Sequence, residues 1–206
     1  MTVLPRKRVA VLISGRGSNM MALVEAAKAP DFPAEIVLVL SNKAEAAGLA
    51  FARAQGIATA VIEHKTYGKD RAAFDAAMQA ALEAHGVEIV CLAGFMRLLT
   101  PGFCEAWSGR MINIHPALLP SFKGLDTHAR ALEGGVKIHG CTTHFVTPGM
   151  DEGPIILQAA VPVLDGDTEA SLAARVLGEE HRIYPETLRL LASGRLRIEG
   201  QRVRSV

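Results

Sequence analysis

The sequence contains very little cysteine. Its three cysteines, Cys91, Cys104 and Cys141, cannot all pair with one another, and none forms a CxxC or Cys/His cluster. A disulfide scaffold and a structural zinc site are therefore not expected. Because Cys91 lies inside an apolar run and Cys141 begins one, we expect packed free thiols in a reducing compartment.

Long apolar runs and an excess of charge of one sign are also missing. No stretch of 18 apolar residues occurs, and the N-terminus lacks an apolar segment with a small-residue cleavage site. A cytoplasmic location is the default expectation. Lys and Arg number 22 against 21 Asp and Glu, a net charge of +1 that gives no general attraction to nucleic acid. The short basic runs at residues 6–8 and 202–204 are interpreted as solvated ends.

Several kinds of active site are missing as well. The sequence has no Gly-x-Ser-x-Gly nucleophile, no cysteine beside a histidine, and no HExxH spacing among its seven histidines. We therefore expect neither a metal centre nor a covalent intermediate. These absences favour direct group transfer between two bound substrates.

Short apolar runs alternate with helical patterns through the first 115 residues. The runs are rich in Val, Ile and Leu, which is typical of strands buried on both faces. Strands and helices that alternate at this rhythm predict βαβ units and a parallel sheet with right-handed crossovers. Strands are predicted at residues 8–14, 35–41, 59–62, 88–94 and 110–115, and helices at 20–27, 44–55 and 70–85.

The pattern changes after residue 115. Residues 139–147 and 155–163 predict two longer strands that extend the sheet in a partly antiparallel way. Residues 168–193 predict a long final helix, with a kink or a break expected at Pro185. No Pro- or Ser-rich linker and no repeat divides the chain, so one α/β domain over residues 1–206 is expected.

The first candidate site is the Ser-Gly-Arg-Gly-Ser-Asn turn at residues 14–19. Its glycines allow close approach of an anion, and the following helix N-terminus offers free N–H groups and a favourable dipole. Met20 stands where a dinucleotide-binding GxGxxG motif needs its third glycine, and no Walker A lysine follows. The turn therefore favours a phosphomonoester, with a merely tight turn capped by Ser18 or Asn19 as the alternative.

Two further segments carry polar side chains suited to chemistry. Asn113 and His115 are two apart on a predicted strand, so they share a face near the end where open α/β sheets bind ligands. Asp151 lies in a glycine-flanked loop between the two late strands, and His144 precedes that loop on the first of them. A satisfied core pair and an ordinary hairpin acid are the alternatives, and spacing alone leaves them open.

Five segments in this order resemble the phosphoribosylglycinamide formyltransferases, folate-dependent enzymes of purine synthesis. The resemblance runs from Arg8 to about Gly200 and combines the Gly-Ser-Asn turn, Asn-x-His followed by Leu-Leu-Pro, and an Asp-Glu-Gly-Pro loop. It implies a Rossmann-like formyltransferase fold, with a mostly parallel central sheet, helices on both faces and an antiparallel C-terminal extension. The segments are residues 14–19, 92–97, 113–120, 144–147 and 151–156.

The resemblance also implies a role for each candidate residue. The substrates would be glycinamide ribonucleotide, bound by the N-terminal half, and 10-formyltetrahydrofolate, bound as a co-substrate by a catalytic C-terminal half. No metal, nucleic acid or membrane would be involved, and the chain would act as a monomer or homodimer. The implied catalytic residues are Asn113, His115 and Asp151, with His144 in support; the ribonucleotide residues are Gly17, Ser18, Asn19 and Glu180; the folate residues are Arg71, Met96, Arg97, Leu98, Leu99 and Asn113.

The implied mechanism is attack of the substrate amine on the formyl carbon. Asn113 and an imidazolium at His115 would stabilise the oxygen that becomes negative, and Asp151 would carry the proton. One departure stands out: in the stretch that ends at His128, Asp126 occupies a position where a histidine is expected in many relatives. This substitution puts any auxiliary histidine role at that position in doubt.

The competing readings are other folate enzymes and two unrelated classes. Methionyl-tRNA formyltransferase would carry a further C-terminal domain, and only about seven residues follow Glu199. Formyltetrahydrofolate deformylase would need a preceding regulatory domain, and only seven residues precede Arg8. A Rossmann dehydrogenase would need the missing third glycine. A non-catalytic nucleotide-phosphate sensor would not need Asn113, His115 and Asp151 to converge.

Overall fold

The chain is described here by a computed structural model that covers residues 5–206. In that range nine strands form one sheet, in the order β3-β2-β1-β4-β5-β6-β7-β9-β8. The strands are β1 (Lys7–Ile13), β2 (Ala34–Ser41), β3 (Ala58–Val61), β4 (Ile89–Leu92), β5 (Met111–His115), β6 (Ile138–Phe145), β7 (Ile155–Pro162), β8 (Leu196–Glu199) and β9 (Arg202–Ser205).

Helices connect the strands of the first half, and one long helix lies between β7 and β8. Two of them, α4 and α5, were not predicted, because six or seven residues are too few to show a helical period. A short 3₁₀ turn, His64–Tyr67, follows β3. The helices are α1 (Ser18–Ala26), α2 (Ala47–Ala54), α3 (Arg71–Ala84), α4 (Pro101–Ala106), α5 (Thr127–Glu133) and α6 (Glu169–Ala192).

The first five strands form the predicted parallel sheet. β1 pairs in parallel with β2 on one side and with β4 on the other. β3 adds to β2, and β5 adds to β4, again in parallel. Because the chain order reverses between β1 and β4, the loops that follow these two strands flank a crevice at the carboxyl edge of the sheet.

The predicted antiparallel extension is also present. β6 lies antiparallel between β5 and β7 over most of its length. β9 then joins the outer side of β7, and β8 forms a hairpin with β9. Arg202 and Arg204 are exposed, as predicted for a solvated segment, but they do not form a free end, because Arg202 begins β9 and Arg204 makes an ion pair with Glu199 at 2.9 Å.

The N-terminal basic run is likewise part of the sheet. The guanidinium of Arg6 donates to the carbonyl oxygens of Ala27 and Ala34, and Lys7 and Arg8 begin β1. The ammonium of Lys7 lies 2.6 Å from a carboxylate oxygen of Glu88. The predicted solvation is confirmed for Lys7 and Arg8, whose side chains are exposed, but these residues belong to the sheet and do not form a separate end.

Two apolar cores cover the two faces of the sheet. Alternate residues of β1 point to opposite faces, so Val11 belongs to one core and Leu12 to the other. Helices α1, α2, α5 and α6 pack on the first face, and α3 and α4 pack on the second. The three cysteines lie in these cores as buried free thiols, as expected. Within residues 5–206, no helix is long and apolar enough to span a bilayer.

A kink or a break was predicted at Pro185, and the break is wrong because helix α6 continues through this residue. A proline inside a helix costs about 3 kcal/mol because it removes a backbone donor and crowds the preceding turn. Here Tyr184 and Leu188 on either side of it are completely buried against the sheet, and this packing offsets the local cost. The helix begins with a reciprocal cap between Thr168 and Ser171.

The hydroxyl of Tyr184 provides a test of how α6 is attached to the sheet. It donates to the carbonyl oxygen of Leu92 at 2.8 Å and lies 3.2 Å from that of Ile112, so it joins α6 to both β4 and β5. Tyr184→Phe should lower the free energy of unfolding by about 1–3 kcal/mol, because buried carbonyl oxygens lose their donor. Denaturant unfolding measures the change.

The matched control is Tyr67→Phe, the same change at the other tyrosine of the chain. The ring of Tyr67 packs edge-on against Phe74, and its hydroxyl has no hydrogen-bond partner among residues 5–206. Its removal should leave stability nearly unchanged. Equal losses in the two variants would contradict the assigned role of Tyr184.

Candidate active site

An amide and an imidazole face each other across the antiparallel pair β5 and β6. Asn113 of β5 lies directly opposite His144 of β6 in the register of the two strands. The amide nitrogen of Asn113 is 3.2 Å from Nε2 of His144. His115, two residues further along β5, lies on the same face, so the structure brings these three side chains together.

The protonation of His144 determines how the Asn113 amide is oriented. Burial lowers the pKa of His144 below its usual range, so the ring is neutral at neutral pH. Its Nδ1–H donates to the carbonyl oxygen of Phe145 at 2.8 Å, which leaves Nε2 as an acceptor for the Asn113 amide. One N–H of Asn113 is used in this way, and the second remains available to a ligand.

Asp151 completes the cluster from the loop between β6 and β7. One of its carboxylate oxygens lies 3.5 Å from Nδ1 of His115, and the other lies 3.9 Å from Nε2 of His144. The backbone N–H of Gly124 donates to the carboxylate at 2.9 Å. The side chain is 13% exposed, so it is accessible from the crevice yet held close to both rings.

The path of the loop depends on two of its residues, one with a left-handed backbone conformation and one that packs closely against β6. Asp151 has a φ of 54°, a left-handed conformation that short polar residues tolerate better than bulky ones. Gly153 passes so close to the carbonyl oxygen of Phe145 that a Cβ atom would collide with it. A tight, glycine-dependent turn therefore places the carboxylate over β5.

The loop after β5 holds the far side of His115. Nε2 of His115 is 3.0 Å from the carbonyl oxygen of Phe122, while Nδ1 faces Asp151. Both ring nitrogens thus face oxygen atoms, one at hydrogen-bond distance and one slightly beyond it. No sequence pattern predicts the contacts of Phe122 and Gly124 with the site, because both residues use backbone atoms.

The phosphate-loop candidate lies at the N-terminus of α1, which carries no side-chain cap. Gly17 occupies the capping position with φ 72°, a left-handed conformation that suits glycine. Ser18 and Asn19 lie inside the helix, so the alternative in which one of them caps it is wrong. The N–H groups of the first turn have no intrahelical acceptors, and together with the helix dipole this geometry favours a negatively charged ligand at this end of α1.

A pair of buried polar side chains lies beside this turn. The amide nitrogen of Asn19 is 2.6 Å from a carboxylate oxygen of Glu180 on α6. Burial raises the pKa of Glu180, and the hydrogen bond from Asn19 partly opposes that rise. Within the described part of the chain, Oδ1 of Asn19 has no partner although it is buried. The pair therefore places a buried, unpartnered acceptor beside the N-terminus of α1.

The candidate folate residues follow β4 on the other side of the crevice. Met96 and Leu98 are exposed apolar side chains, whereas Leu99 packs against the second core. The buried Nε of Arg97 has no acceptor among residues 5–206. A carboxylate oxygen of Asp75 accepts from the N–H of Thr100 at 2.7 Å, which holds the end of this segment against α3.

Arg71 is the first residue of α3, one turn before Asp75 and so on the same side of that helix. Its side chain is exposed, so its positive charge is open to solvent and to a ligand.

Two further histidines lie behind the cluster. The rings of His128 and His139 meet edge to face with centroids 5.3 Å apart. Asp126 precedes α5 with φ 55° and does not cap it through its side chain. Among the residues that the structure describes, no group of three His, Cys, Asp or Glu side chains could hold a metal ion.

Comparison with known proteins identifies the family to which this fold belongs. Residues 7–188 match the formyl transferase family model. A crystal structure of glycinamide ribonucleotide transformylase 1 from Symbiobacterium toebii superimposes with a TM-score of 0.94 at 51% identity, covering 98% of this chain and 94% of that one. The chain belongs to the formyl transferase family.

Within that family, the branch to which the chain belongs is the phosphoribosylglycinamide formyltransferases. The Escherichia coli protein of that name is 44% identical over 202 residues, which are 95% of each chain. The trifunctional purine biosynthetic protein adenosine-3 of Bos taurus is 54% identical over 198 residues. That match covers 96% of this chain, which spans only about a fifth of the length of the trifunctional relative.

His139 should make the folded protein sensitive to acid. Burial, with a contribution from nearby His128, lowers the pKa of His139 from 6.5 to about 4. Between these two pH values the unfolded chain binds a proton that the folded chain does not, so stability falls as pH falls. His139→Phe should flatten this dependence by up to about 1 kcal/mol per pH unit.

Denaturant unfolding of both proteins at several pH values between 4 and 8 measures the two slopes. Absolute stabilities will also differ because the rings pack differently, so the slope is the quantity compared. An identical slope in the variant would show that His139 is not the group responsible.

Proposed function

We propose that this chain transfers the formyl group of 10-formyltetrahydrofolate to the amine of glycinamide ribonucleotide. The products would be formylglycinamide ribonucleotide and tetrahydrofolate, in purine biosynthesis. The observation that carries the proposal is the convergence of Asn113, His115 and Asp151 at the carboxyl edge of the sheet. The names of the relatives in this branch of the family support the same reaction.

The ribonucleotide is assigned to the side of the crevice formed by α1. Its phosphate would accept hydrogen bonds from the backbone of Gly17, Ser18 and Asn19, where the uncapped helix favours a dianion. Its ribose would use the buried pair formed by Asn19 and Glu180, whose polar atoms are not fully satisfied by the protein. The amine then extends towards β5.

The folate is assigned to the side that follows β4. Exposed Met96 and Leu98 offer an apolar surface for its ring system, with Leu99 beneath them. Arg97 offers a buried donor that lacks an acceptor in the protein. Arg71, exposed at the start of α3, carries the positive charge that the glutamate tail requires.

The chemistry begins with attack of the neutral amine on the formyl carbon. A new C–N bond forms, and the electron pair of the formyl C=O moves to oxygen. The free N–H of Asn113 donates to that oxygen. Its partner His144 accepts from the other N–H and so keeps the amide nitrogen, rather than the amide oxygen, on the side of the ring. Loss of one such donor typically costs about 2.7–4 kcal/mol of barrier.

His115 acts mainly through its positive charge. Its Nε2–H is engaged by the carbonyl of Phe122, whereas its Nδ1–H faces Asp151 at 3.5 Å, longer than a normal hydrogen bond. A charge so placed, at a side chain only 6% exposed, lowers the energy of the adjacent oxyanion more than it would in water.

Asp151 is assigned the proton transfer. Formation of the tetrahedral intermediate leaves the attacking nitrogen with a proton that it must lose, and the departing folate nitrogen must gain one. The carboxylate takes the first proton and returns it to the leaving nitrogen as the old C–N bond breaks. The formyl group is thereby transferred with no net change in protons on the enzyme.

Asp151→Asn should bind both substrates and turn them over poorly. The amide keeps the size of the side chain and can still accept from Gly124, but it cannot take a proton. We expect kcat to fall by about 10²–10⁴, while the Kd of the ribonucleotide changes little. Steady-state kinetics and calorimetry measure the two quantities.

The control for this variant is Glu152→Gln at the next residue. Glu152 is exposed and makes an ion pair with Lys123 at 2.9 Å, away from the two rings. Its kcat should stay near that of the unaltered protein. If Asp151→Asn kept full turnover, the carboxylate would not be the proton carrier.

The function itself is tested by the dependence of formyl loss on the acceptor. Purified protein is mixed with 10-formyltetrahydrofolate, and folate absorbance is followed with and without glycinamide ribonucleotide. The proposal predicts release of tetrahydrofolate only when the ribonucleotide is present. Release at the same rate without it would identify a hydrolase that uses water as the acceptor.

A further inference from the structure

A chain of buried hydrogen bonds runs along the carboxyl ends of β2, β1 and β4. Its centre is Ser14, the first residue after β1. The N–H of Ser14 donates to the carbonyl oxygen of Gly94 at 3.2 Å, and its hydroxyl accepts from the N–H of Met96 at 2.8 Å. The same hydroxyl donates to Oδ1 of Asn42, at the end of β2, at 2.6 Å.

The direction of these bonds is fixed by donor count. A serine hydroxyl has one proton, and its donation to Asn42 leaves the oxygen lone pairs for the N–H of Met96. Asn42 is in turn within 3.1 Å of Nδ1 of His64. Ser14 is 7% exposed and Asn42 1% exposed, so water does not compete well for these partners.

Ser14 therefore belongs to one of the two segments assigned to the substrates and contacts the other. It is three residues before Gly17 on the loop assigned to the phosphate, and its side chain binds the backbone of Met96 at the start of the segment assigned to the folate. A ligand that orders the loop of residues 14–19 therefore also restrains Ser14, which is hydrogen-bonded to the segment that begins at Met96. The two segments flank the crevice between β1 and β4.

We propose that Ser14 is a positioning residue that couples binding of the ribonucleotide to binding of the folate. The inference rests on the proposed function, which supplies the two ligands. A phosphate bound at residues 17–19 fixes the loop and with it the hydroxyl that holds the N–H of Met96. Part of the entropy cost of ordering residues 96–99 is then already met when the folate arrives.

Thermodynamic linkage makes this coupling measurable in either direction. The factor by which the ribonucleotide tightens folate binding must equal the factor by which folate tightens ribonucleotide binding. Tetrahydrofolate and glycinamide ribonucleotide are the ligands used, because together they hold no formyl group and cannot react. Calorimetric titration of each ligand, with and without the other, gives two dissociation constants for that ligand. Their ratio is the coupling factor, and the two ligands yield two independent values of it.

The unaltered protein should show a coupling factor of about five or more. Ser14→Ala should bind each ligand alone and show a factor near one, because the N–H of Met96 loses its link to the phosphate loop. The matched control is Ser41→Ala. Ser41 is fully buried at the end of β2, and among residues 5–206 its hydroxyl bonds only to the backbone of Lys43, so this variant should keep the coupling.

Asn42→Ala is the second variant, for the case in which Ser14→Ala does not fold. It removes the acceptor that holds the Ser14 hydroxyl in place, and the factor should fall in this variant too. A factor of one in the unaltered protein, or an unchanged factor in the folded variants, overturns the proposed coupling. Failure of the unaltered protein to bind either ligand would instead overturn the proposed function.

Discussion

The antiparallel pairing of β6 with β5 is the contact on which the whole site depends. This register sets His144 opposite Asn113, and the turn that follows β6 carries Asp151 back over His115. Side chains on a strand alternate in direction, so a slip of one residue would turn His144 away from the amide. Thr142 and Thr143 of β6 hold the register through hydrogen bonds to Ala117 and Thr187.

Burial gives the same residues their chemical character. A neutral His144 accepts from Asn113 because its environment disfavours the charged ring. This arrangement strains the backbone of the two loops at the site. They contain the three non-glycine residues of the described chain that have a positive φ, which are Phe122, Asp126 and Asp151. Such conformations persist where the surrounding structure holds them in place.

The sequence predicted the parts of the fold that follow from local pattern. Apolar runs located the inner strands, and the spacing of two residues placed Asn113 and His115 on one face. The β8–β9 hairpin was missed because its short, charged strands lack a buried face of their own. The continuity of α6 through Pro185 was missed because it depends on packing against the sheet.

The site was predicted only in part, for a related reason. The residue types pointed to a phosphate turn and an acid–base cluster, and family resemblance supplied Glu180 and the folate residues. The contacts of Phe122 with His115 and of Ser14 with Met96 use backbone atoms, of residues 7 and 82 positions away along the chain. Every residue type has these backbone atoms, so no sequence pattern predicts which residues make such contacts.

The orientation of the Asn113 amide is the central claim, and the tautomer of His144 tests it most directly. Two-dimensional NMR of protein with ¹⁵N-labelled histidine distinguishes a protonated Nδ1 from a protonated Nε2 through the ring couplings. The account predicts a neutral ring with the proton on Nδ1 at neutral pH, donated to Phe145, and an Nε2 that accepts from Asn113. A proton on Nε2 would contradict it, because the amide would then have to turn its oxygen to His144.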